Sequence, residues 1–365
     1  QKNMAKAWLI NWRALVGNLL LEESSKVGRN DRANLKRRLV IKGVGAAFAG
    51  VAAGYPDLSN AQSSYPNKPI RIVIPFAAGG TLDVAVRPLS QQMSTILGQT
   101  VYLDNRPGAN GVIAAEYVAN SPPDGYTLIA TSASFVLNPS IYKNLKYDVL
   151  QDFTPISALM QGVGFVVIVN SSVPANSLQE LIALGKKSGN NLTYSSPGVG
   201  NTIHIASELF NQKAGTDFLH VPYKGSAPSL NAILSGEAQI GIMPPGIVMQ
   251  FIRTGQLRAL AFTGKKRLSD LPDVPTMAEA GLNDFVFEGT WMGMLGPKGL
   301  PPAIVNRLYQ AINKSIQQPA LKQAWASGVS GYVADGSTPA EFAKQLKDDV
   351  RRYSEIMKKI NIQAI

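Results

Sequence analysis

The sequence predicts an α/β protein made of two successive strand-and-helix series, and three observations predict it. First, 365 residues with 45% hydrophobic and 16% charged content can bury two ordinary cores. Second, from Tyr65 onward short β-branched runs alternate with helical patterns, as strand–helix–strand units require. Third, a near-continuous apolar run, Phe165 to Val169, opens a second such series and has the character of a strand buried on both faces of a parallel sheet.

In the first series, Ile70 to Ile74 (Ile-Arg-Ile-Val-Ile) reads as a strand, Pro75 to Thr81 as a turn, and Leu82 to Leu97 as a helix that stops at Gly98. Thr100 to Leu103 makes a second strand, Val112 to Ala119 a helix and Thr127 to Thr131 a third strand. In the second series Ser177 caps a helix reaching about Lys187, followed by a strand at Leu192–Ser195 and a helix at Ile203–Lys213. A strand at Phe218–Val221, a short helix at Ser229–Leu234 and strands at Ala238–Met243 and Leu257–Thr263 complete it. Beyond Trp291, helices bounded by proline at Pro302–Gln317, Pro319–Ser327 and Pro339–Ile360 form a cap, most simply packed on the first series. Trp291 itself would either close a cleft over a ligand or anchor the returning chain, and the second reading is preferred.

The net charge of +11 could suggest nucleic acid or an anionic surface as partner. Residues 1–61 hold ten Lys and Arg against four Asp and Glu, however, so the remainder carries only +5. Its basic residues are scattered apart from short runs such as Lys265-Lys266-Arg267 and Arg351-Arg352, with no interleaved stacking aromatics. They read as solvated faces, and no nucleic-acid partner is expected. Cysteine is absent, which excludes disulfides, thiolate metal sites, cysteine nucleophiles and a lipid-modified cysteine anchor.

The first 61 residues read as an extension and an export signal. Lys36-Arg37-Arg38 precedes the apolar stretch Leu39 to Ala53, and Ser59-Asn60-Ala61 offers a cleavage-like tripeptide. The stretch is short and broken by Lys42, whereas a spanning helix needs about 20 predominantly apolar residues. Arg37 to Lys42 is also close to the twin-arginine motif, so the expected route is twin-arginine-like or general secretory, with a mature chain from Gln62 in the periplasm. Residues 1–35, with an apolar segment Ala7 to Leu21 interrupted by Arg13, suit a peripheral amphipathic helix or, more simply, an overlong start.

The chemistry falls on two loops of one design. Pro75 to Asp83 places Gly79-Gly80 after a strand and before a helix, so backbone N–H groups meet at a helix N-terminus, an anion site by geometry. Phe76 would wall it, Thr81 add a hydroxyl and Asp83 cap free amides. On the glycines alone, a tight connection without a ligand is an equal reading. Ser195 to Thr202, which includes Ser196, Gly198, Val199, Gly200 and Asn201, repeats the arrangement before Ile203-His204. Facing each other, the loops would hold a carboxylate by charge-assisted hydrogen bonds of about 1.5–3 kcal/mol each. Ser132 and Ser134 follow a strand where open α/β sheets bind ligands, although a plain polar loop is the somewhat stronger reading there.

Enzymatic readings are weaker. His204 or His220 near Ser195 or Ser196 could activate a hydroxyl, but His204 falls in the first turn of an apolar helix and His220 in a strand. Two lone histidines fall short of a metal site, so no metal is expected. No nucleophile elbow, phosphate-binding lysine motif or dinucleotide fingerprint occurs, and no cofactor is expected.

Pro75-Phe76-Ala77-Ala78-Gly79-Gly80-Thr81-Leu82-Asp83 and Asn105-Arg106-Pro107-Gly108-Ala109-Asn110-Gly111 resemble segments of the substrate-binding proteins of tripartite tricarboxylate transporters, the Bug-type periplasmic solute receptors. The resemblance continues in order through His220-Val221-Pro222-Tyr223-Lys224-Gly225, Arg258 to Ala261, Leu271 to Thr276 and Glu279-Ala280-Gly281, and so covers Tyr65 to the C-terminus. It implies a two-domain clamp of the periplasmic binding-protein type II kind, each domain a mostly parallel sheet flanked by helices, with the ligand cleft between them. The chain would cross near residues 160–166 and 284–291, dividing it into 62–165 plus 285–365 and 166–284. It also implies that Phe76, Ala78, Gly79, Gly80, Thr81 and Asp83 with Ser196, Gly198, Val199, Gly200 and His204 grip a carboxylate through backbone groups and water, without an arginine clamp. Asn201 departs from the Ser or Thr usual in the family, so its contact would pass to Thr202 or become an amide contact.

The expected function is therefore that of a monomeric receptor that captures a small organic carboxylate and delivers it to the large and small transmembrane subunits of a transporter. A di- or tricarboxylate, an acidic amino acid and an aromatic acid all suit the loops. The alternatives are a hydrolase or lyase acting on a carboxylate, and a sensory receptor that presents a ligand.

Overall fold

The computed structural model describes residues 65–188, 192–288, 290–360 and 362. The extension and signal peptide expected over residues 1–61 lie outside them. Among the described residues no helix is long and apolar enough to cross a membrane.

Two sheets organise the chain. The first has strands β1 (Ile70–Ile74), β2 (Val101–Asn105), β3 (Thr127–Ser132), β4 (Phe153–Gly162), β10 (Thr290–Pro297) and β11 (Tyr332–Ala334), in the order β11-β4-β10-β3-β1-β2. The second has β5 (Val166–Asn170), β6 (Thr193–Ser196), β7 (Leu219–Pro222), β8 (Ile240–Met243) and β9 (Leu257–Phe262), in the order β7-β6-β8-β5-β9. The chain passes from the first sheet to the second between β4 and β5 and returns between β9 and β10.

Both sheets are mixed, which corrects the expectation of mostly parallel sheets. β1 pairs in parallel with β2 and β3, and β6 with β7 and β8. The strands that leave and re-enter each sheet run the other way: β10 is antiparallel to β3 and β4, and β5 to β8 and β9. The run at 165–169 is thus a strand buried throughout, as its composition requires, yet antiparallel to both neighbours. Burial on two faces dictates apolar content and leaves strand direction open.

The helices are α1 (Thr81–Leu97), α2 (Val112–Ala119), the single turn α3 (Asn138–Ile141), α4 (Leu178–Ser188), α5 (Thr202–Ala214), α6 (Ser226–Ser235), α7 (Pro245–Arg253), α8 (Pro302–Gln317), α9 (Pro319–Gly328) and α10 (Pro339–Met357). α1 ends where Gly98 turns left-handed at φ 68° and its N–H reaches the Ser94 carbonyl at 3.0 Å, a conformation that glycine adopts without steric penalty. Ser177 caps α4 through Glu180 N–H at 3.2 Å. The alternation of β1 sends Ile70, Ile72 and Ile74 to one face, where they pack with Leu89 and Met93 of α1, Leu308 of α8 and Trp325 of α9. Each such buried side chain contributes roughly 1.5–3 kcal/mol. Val73 faces the opposite side and joins a core that runs on through the second sheet.

Trp291 is fully buried at the start of β10, donates Nε1–H to Asp349 of α10 at 2.8 Å and meets Phe342 edge-on at 5.1 Å. It fixes the return crossing to α10 and lies in the core.

Candidate functional site

Three strands that feed the cleft, β1, β6 and β7, are each followed by a helix that begins at it. α1 begins after Gly80, α5 after Asn201 and α6 after Gly225. The three N-termini meet around a cavity of about 40 Å³ lined by Gly80, Thr81, Ser132, Asn201, Thr202 and Ser226, with Phe76, Phe165, Ile203, Pro244, Met292 and Tyr332 among its apolar walls. Pro244 precedes a fourth helix, α7. Among the described residues no Lys, Arg, Asp, Glu or His lines the cavity, so its potential is set by helix dipoles and free first-turn amides, which favour an anion.

The closeness of the two sides is measured at Gly80. A Cβ placed there would lie 3.7 Å from the Ser226 nitrogen and 3.8 Å from that of Ala227, so α1 and α6 present their first N–H groups within one ligand atom of each other. Neither α1 nor α6 has a side chain capping its amides. Between them the Thr81 hydroxyl is buried and has no hydrogen-bond partner. A buried polar atom left unpaired costs about 1–3 kcal/mol, and here it borders the cavity.

Asp83 is the one acidic residue in the first turn of α1, and its carboxylate is turned away. It accepts from Gly79 N–H at 3.1 Å, Arg87 Nη2 at 2.7 Å and Asn105 Nδ2 at 3.1 Å. Asp83 therefore shapes the Gly79-Gly80 turn, while Arg87 neutralises the charge that would oppose an anion and Asn105 holds the carboxylate by a hydrogen bond.

Contacts bridge the two sides around the cavity. Ala77 N–H donates to the Lys224 carbonyl at 3.2 Å, Thr202 N–H to Ser134 Oγ at 3.2 Å, and Asn201 Nδ2 to Asn110 Oδ1 at 3.3 Å. Asn201 also caps α5 through Ile203 N–H at 3.0 Å. Asn110 is held in turn by Asn138 Oδ1 at 3.1 Å, and Asn138 reaches the Tyr147 hydroxyl at 2.9 Å. These bonds tie the two sides of the cavity together.

Behind the second loop lies a buried stack. The rings of His204 and His220 are 3.9 Å apart and those of Tyr194 and His220 4.9 Å apart, while the Tyr194 hydroxyl bonds Glu208. Gly200 N–H donates to His204 Nδ1 at 3.0 Å, and Ser196 Oγ sits 2.6 Å from His220 Nε2. Burial, with His220 beside it, pushes the His204 pKa down to about 3, and burial pushes that of His220 down to about 4, so both imidazoles are neutral at pH 7. The Ser196–His220 pair has the outline of a nucleophile and its base. Ser196 is wholly buried, however, bonds the Gly198 backbone and does not border the cavity. Its geometry is that of a brace beneath the loop.

Of the residues singled out in the sequence, Phe76, Gly80, Thr81, Ser132, Asn201 and Thr202 line the cavity. Ala78 and Gly79 stand outside that lining. Gly198 and Val199 border a second, outer hollow of about 310 Å³ that shares Phe76 and Pro197 with the inner one. Gly200 packs on Ile141 at φ 77°, and Ser134, Ser196, Asp83 and His204 act from behind by holding loop atoms. Sequence reasoning missed Ser226, Phe165, Thr290, Met292 and Tyr332. The signal for Ser226 was present: Gly225 follows a strand and precedes a helix, the pattern of the other two loops, but the helix was placed three residues late, at Ser229.

A two-sheet α/β clamp whose cleft gathers uncapped helix N-termini is the architecture of a periplasmic binding protein. Residues 85–362 match the family model described as the tripartite tricarboxylate transporter family receptor, and the chain belongs to that family. It is 34% identical over 328 residues to protein BugT of Bordetella pertussis, covering 89% of this chain and 98% of that one. A Rhodopseudomonas palustris protein solved with adipate is 30% identical with a TM-score of 0.78, over 82% of this chain and all of that one. MatC of the same organism, solved with bound malate, is 27% identical with a TM-score of 0.74, over 80% of this chain and 100% of that one.

Proposed function

We propose that the chain is the extracytoplasmic receptor of a tripartite tricarboxylate-type transporter, that it works in the periplasm, and that it captures a small organic carboxylate by domain closure. The observation that carries this reading is the meeting of three helix N-termini and the unpartnered Thr81 hydroxyl in a cavity without a charged side chain. A carboxylate there would accept from the first-turn amides of α1 and α6 and from the hydroxyls of Thr81 and Thr202. Charge-assisted bonds of this kind contribute about 1.5–3 kcal/mol each, so a few reach micromolar affinity, about −8 kcal/mol. The relatives solved with adipate and malate support the carboxylate class.

In this mechanism residues 166–284 move against 62–165 plus 285–365 about the two crossings. An open clamp separates Gly80 from Ser226, and a bound carboxylate joins them, so ligand binding shifts the population toward the closed form. The closed form then meets the large and small membrane subunits. Ser196, Gly198, Val199, Gly200 and His204 serve by positioning the second loop, and Ala78, Gly79, Asp83 and Ser134 by positioning the first and its partner.

The test is thermal unfolding of the chain against a panel of mono-, di- and tricarboxylates, acidic amino acids and aromatic acids, because a ligand that binds only the folded state raises the midpoint by mass action. A saturable rise with one acid and no consumption of it supports the receptor. Turnover of the acid that Ser196→Ala abolishes would establish the enzyme reading instead, and no shift with any acid would overturn the carboxylate assignment.

A further inference from the structure

A cavity larger than the one in the cleft lies apart from it. A groove of about 830 Å³ opens on the side where the chain crosses between the sheets, with one wall from the Lys265–Asp270 segment and Glu288 and the other from α9 and β11. Its volume lies in the range of small-molecule sites, about 300–1,000 Å³. The walls come from both domains and are joined by a hydrogen bond of 2.5 Å from Ser330 Oγ to Asp270. Tyr332 lines this groove and the cleft cavity alike.

The floor is apolar, with Val163, Tyr332 and Val333 lying over the buried Met160, Phe262, Trp325 and Val329, and the rim carries Lys265, Lys266, Arg267 and Lys322. The acids in the lining are already engaged. Glu288 holds Lys265 through its N–H at 2.6 Å and its Nζ at 3.7 Å, and Asp270 takes the Ser330 hydroxyl. Arg267 is committed to Glu279 at 2.9 Å and to the Pro272 carbonyl. Lys266 and Lys322 have no carboxylate partner among the described residues, and Lys322 reaches only the Gln317 amide oxygen at 3.2 Å. Two ammonium groups above an aromatic and aliphatic floor suit a molecule with an apolar body and an acid group.

We propose that this groove is a second ligand site, distinct from the cleft, for an amphipathic organic anion. Its apolar body would lie on Val163, Tyr332 and Val333, and its acid group would reach Lys266 and Lys322. The site rests on its own lining and stands whether or not the cleft takes a carboxylate.

The test uses octanoate as probe, read by the fluorescence of the chain, to which Trp325 contributes, and by the thermal midpoint. A saturable response is expected, weakened at least about tenfold by Lys266→Glu with Lys322→Glu, a loss of about 1.4 kcal/mol, and weakened similarly when neutral 1-octanol replaces octanoate. Both lysines are exposed, so the charge reversals leave the fold intact, and the milder pair Lys266→Gln with Lys322→Gln should give a smaller loss in the same direction. The doubly reversed protein should keep the midpoint shift that the carboxylate panel gives at the cleft, so failure here and failure of the receptor reading are separable. An absent response to octanoate, equal affinity for octanol, or a response that survives both charge reversals and disappears with Gly80→Ala would overturn the proposal.

Discussion

Gly200 gives its backbone N–H to Nδ1 of His204 at 3.0 Å, and this bond ties the Ser196–Thr202 loop to an imidazole that must stay neutral. A proton on Nδ1 would face a donor, and a charge on either ring would oppose one on the other, because His204 and His220 stack at 3.9 Å. Tyr194 covers the stack, with its hydroxyl directed to Glu208. Folded-state pKa values of about 3 for His204 and about 4 for His220 lie below the ordinary 6.5. In the unfolded chain both rings take up protons as pH falls through 6.5, whereas in the folded chain they resist. Their contribution is therefore fully present above about pH 6.5, erodes as pH falls below it and is lost by about pH 3–4. The erosion is at most about 1.4 kcal/mol per pH unit for each ring. Urea midpoints between pH 7 and pH 4 should fall, and His204→Asn, which keeps an acceptor near Gly200, should flatten the slope by about one proton. An unchanged slope in that variant would show that carboxylates carry the dependence.

Thr81→Val should separate stability from binding. The substitution is nearly isosteric and removes a buried hydroxyl that has no partner, so without ligand the protein should be as stable or up to about 1–3 kcal/mol more stable. Carboxylate affinity should fall about tenfold or more, the loss of one charge-assisted bond. Paired measurements of the thermal midpoint and of ligand titration check this, and a stability loss without a binding loss would mean that the hydroxyl serves the fold.

Legibility followed chemistry that repeats locally. Ile70 to Ile74, the helix stop at Gly98 and the Ser177 cap were readable because a strand's alternation, a left-handed glycine and an N-terminal serine act within a few residues. The Gly79-Gly80 and Gly198–Thr202 loops were readable for the same reason, as strand-to-helix turns. Direction in the sheets was not, because Val166–Asn170 has one apolar content whether its neighbours run with it or against it. The walls of the cavity were hidden more deeply: Phe165, Thr290 and Tyr332 arrive from three segments and meet only through the two crossings. Strands β10 and β11 were hidden similarly, since Gly293 and Gly296 interrupt the first and the second is three residues long.

Gly80→Ala should bind poorly while folding well. Gly80 has an extended φ of −75°, and an added methyl would make ordinary contacts, 3.4 Å from the Ala77 carbonyl and 3.7 Å from the Ser226 nitrogen. The fold should therefore tolerate it within about 0.5 kcal/mol. That methyl stands where an anion must approach the amides of α1 and α6, so the ligand-induced midpoint shift should disappear. A retained shift would move the carboxylate away from the Gly80–Ser226 gap.

Asn201→Ser tests how much the closed state owes to one cross-cleft bond. Asn201 does two things: its Oδ1 caps α5 at Ile203, and its Nδ2 reaches Asn110 at 3.3 Å on the other domain. Serine caps helices about as well as asparagine but is too short to span to Asn110. Global stability should hardly change, while the closed form loses a bond of about 0.5–1.5 kcal/mol. Because ligand binds the closed form, apparent affinity should weaken by about 2- to 12-fold, chiefly through faster release. Stopped-flow dissociation of the carboxylate found by the unfolding panel measures this directly. A release rate equal to that of the parent would mean that Asn110 and Asn201 meet without holding the clamp, leaving the ligand and the Ala77–Lys224 backbone bond to keep it shut.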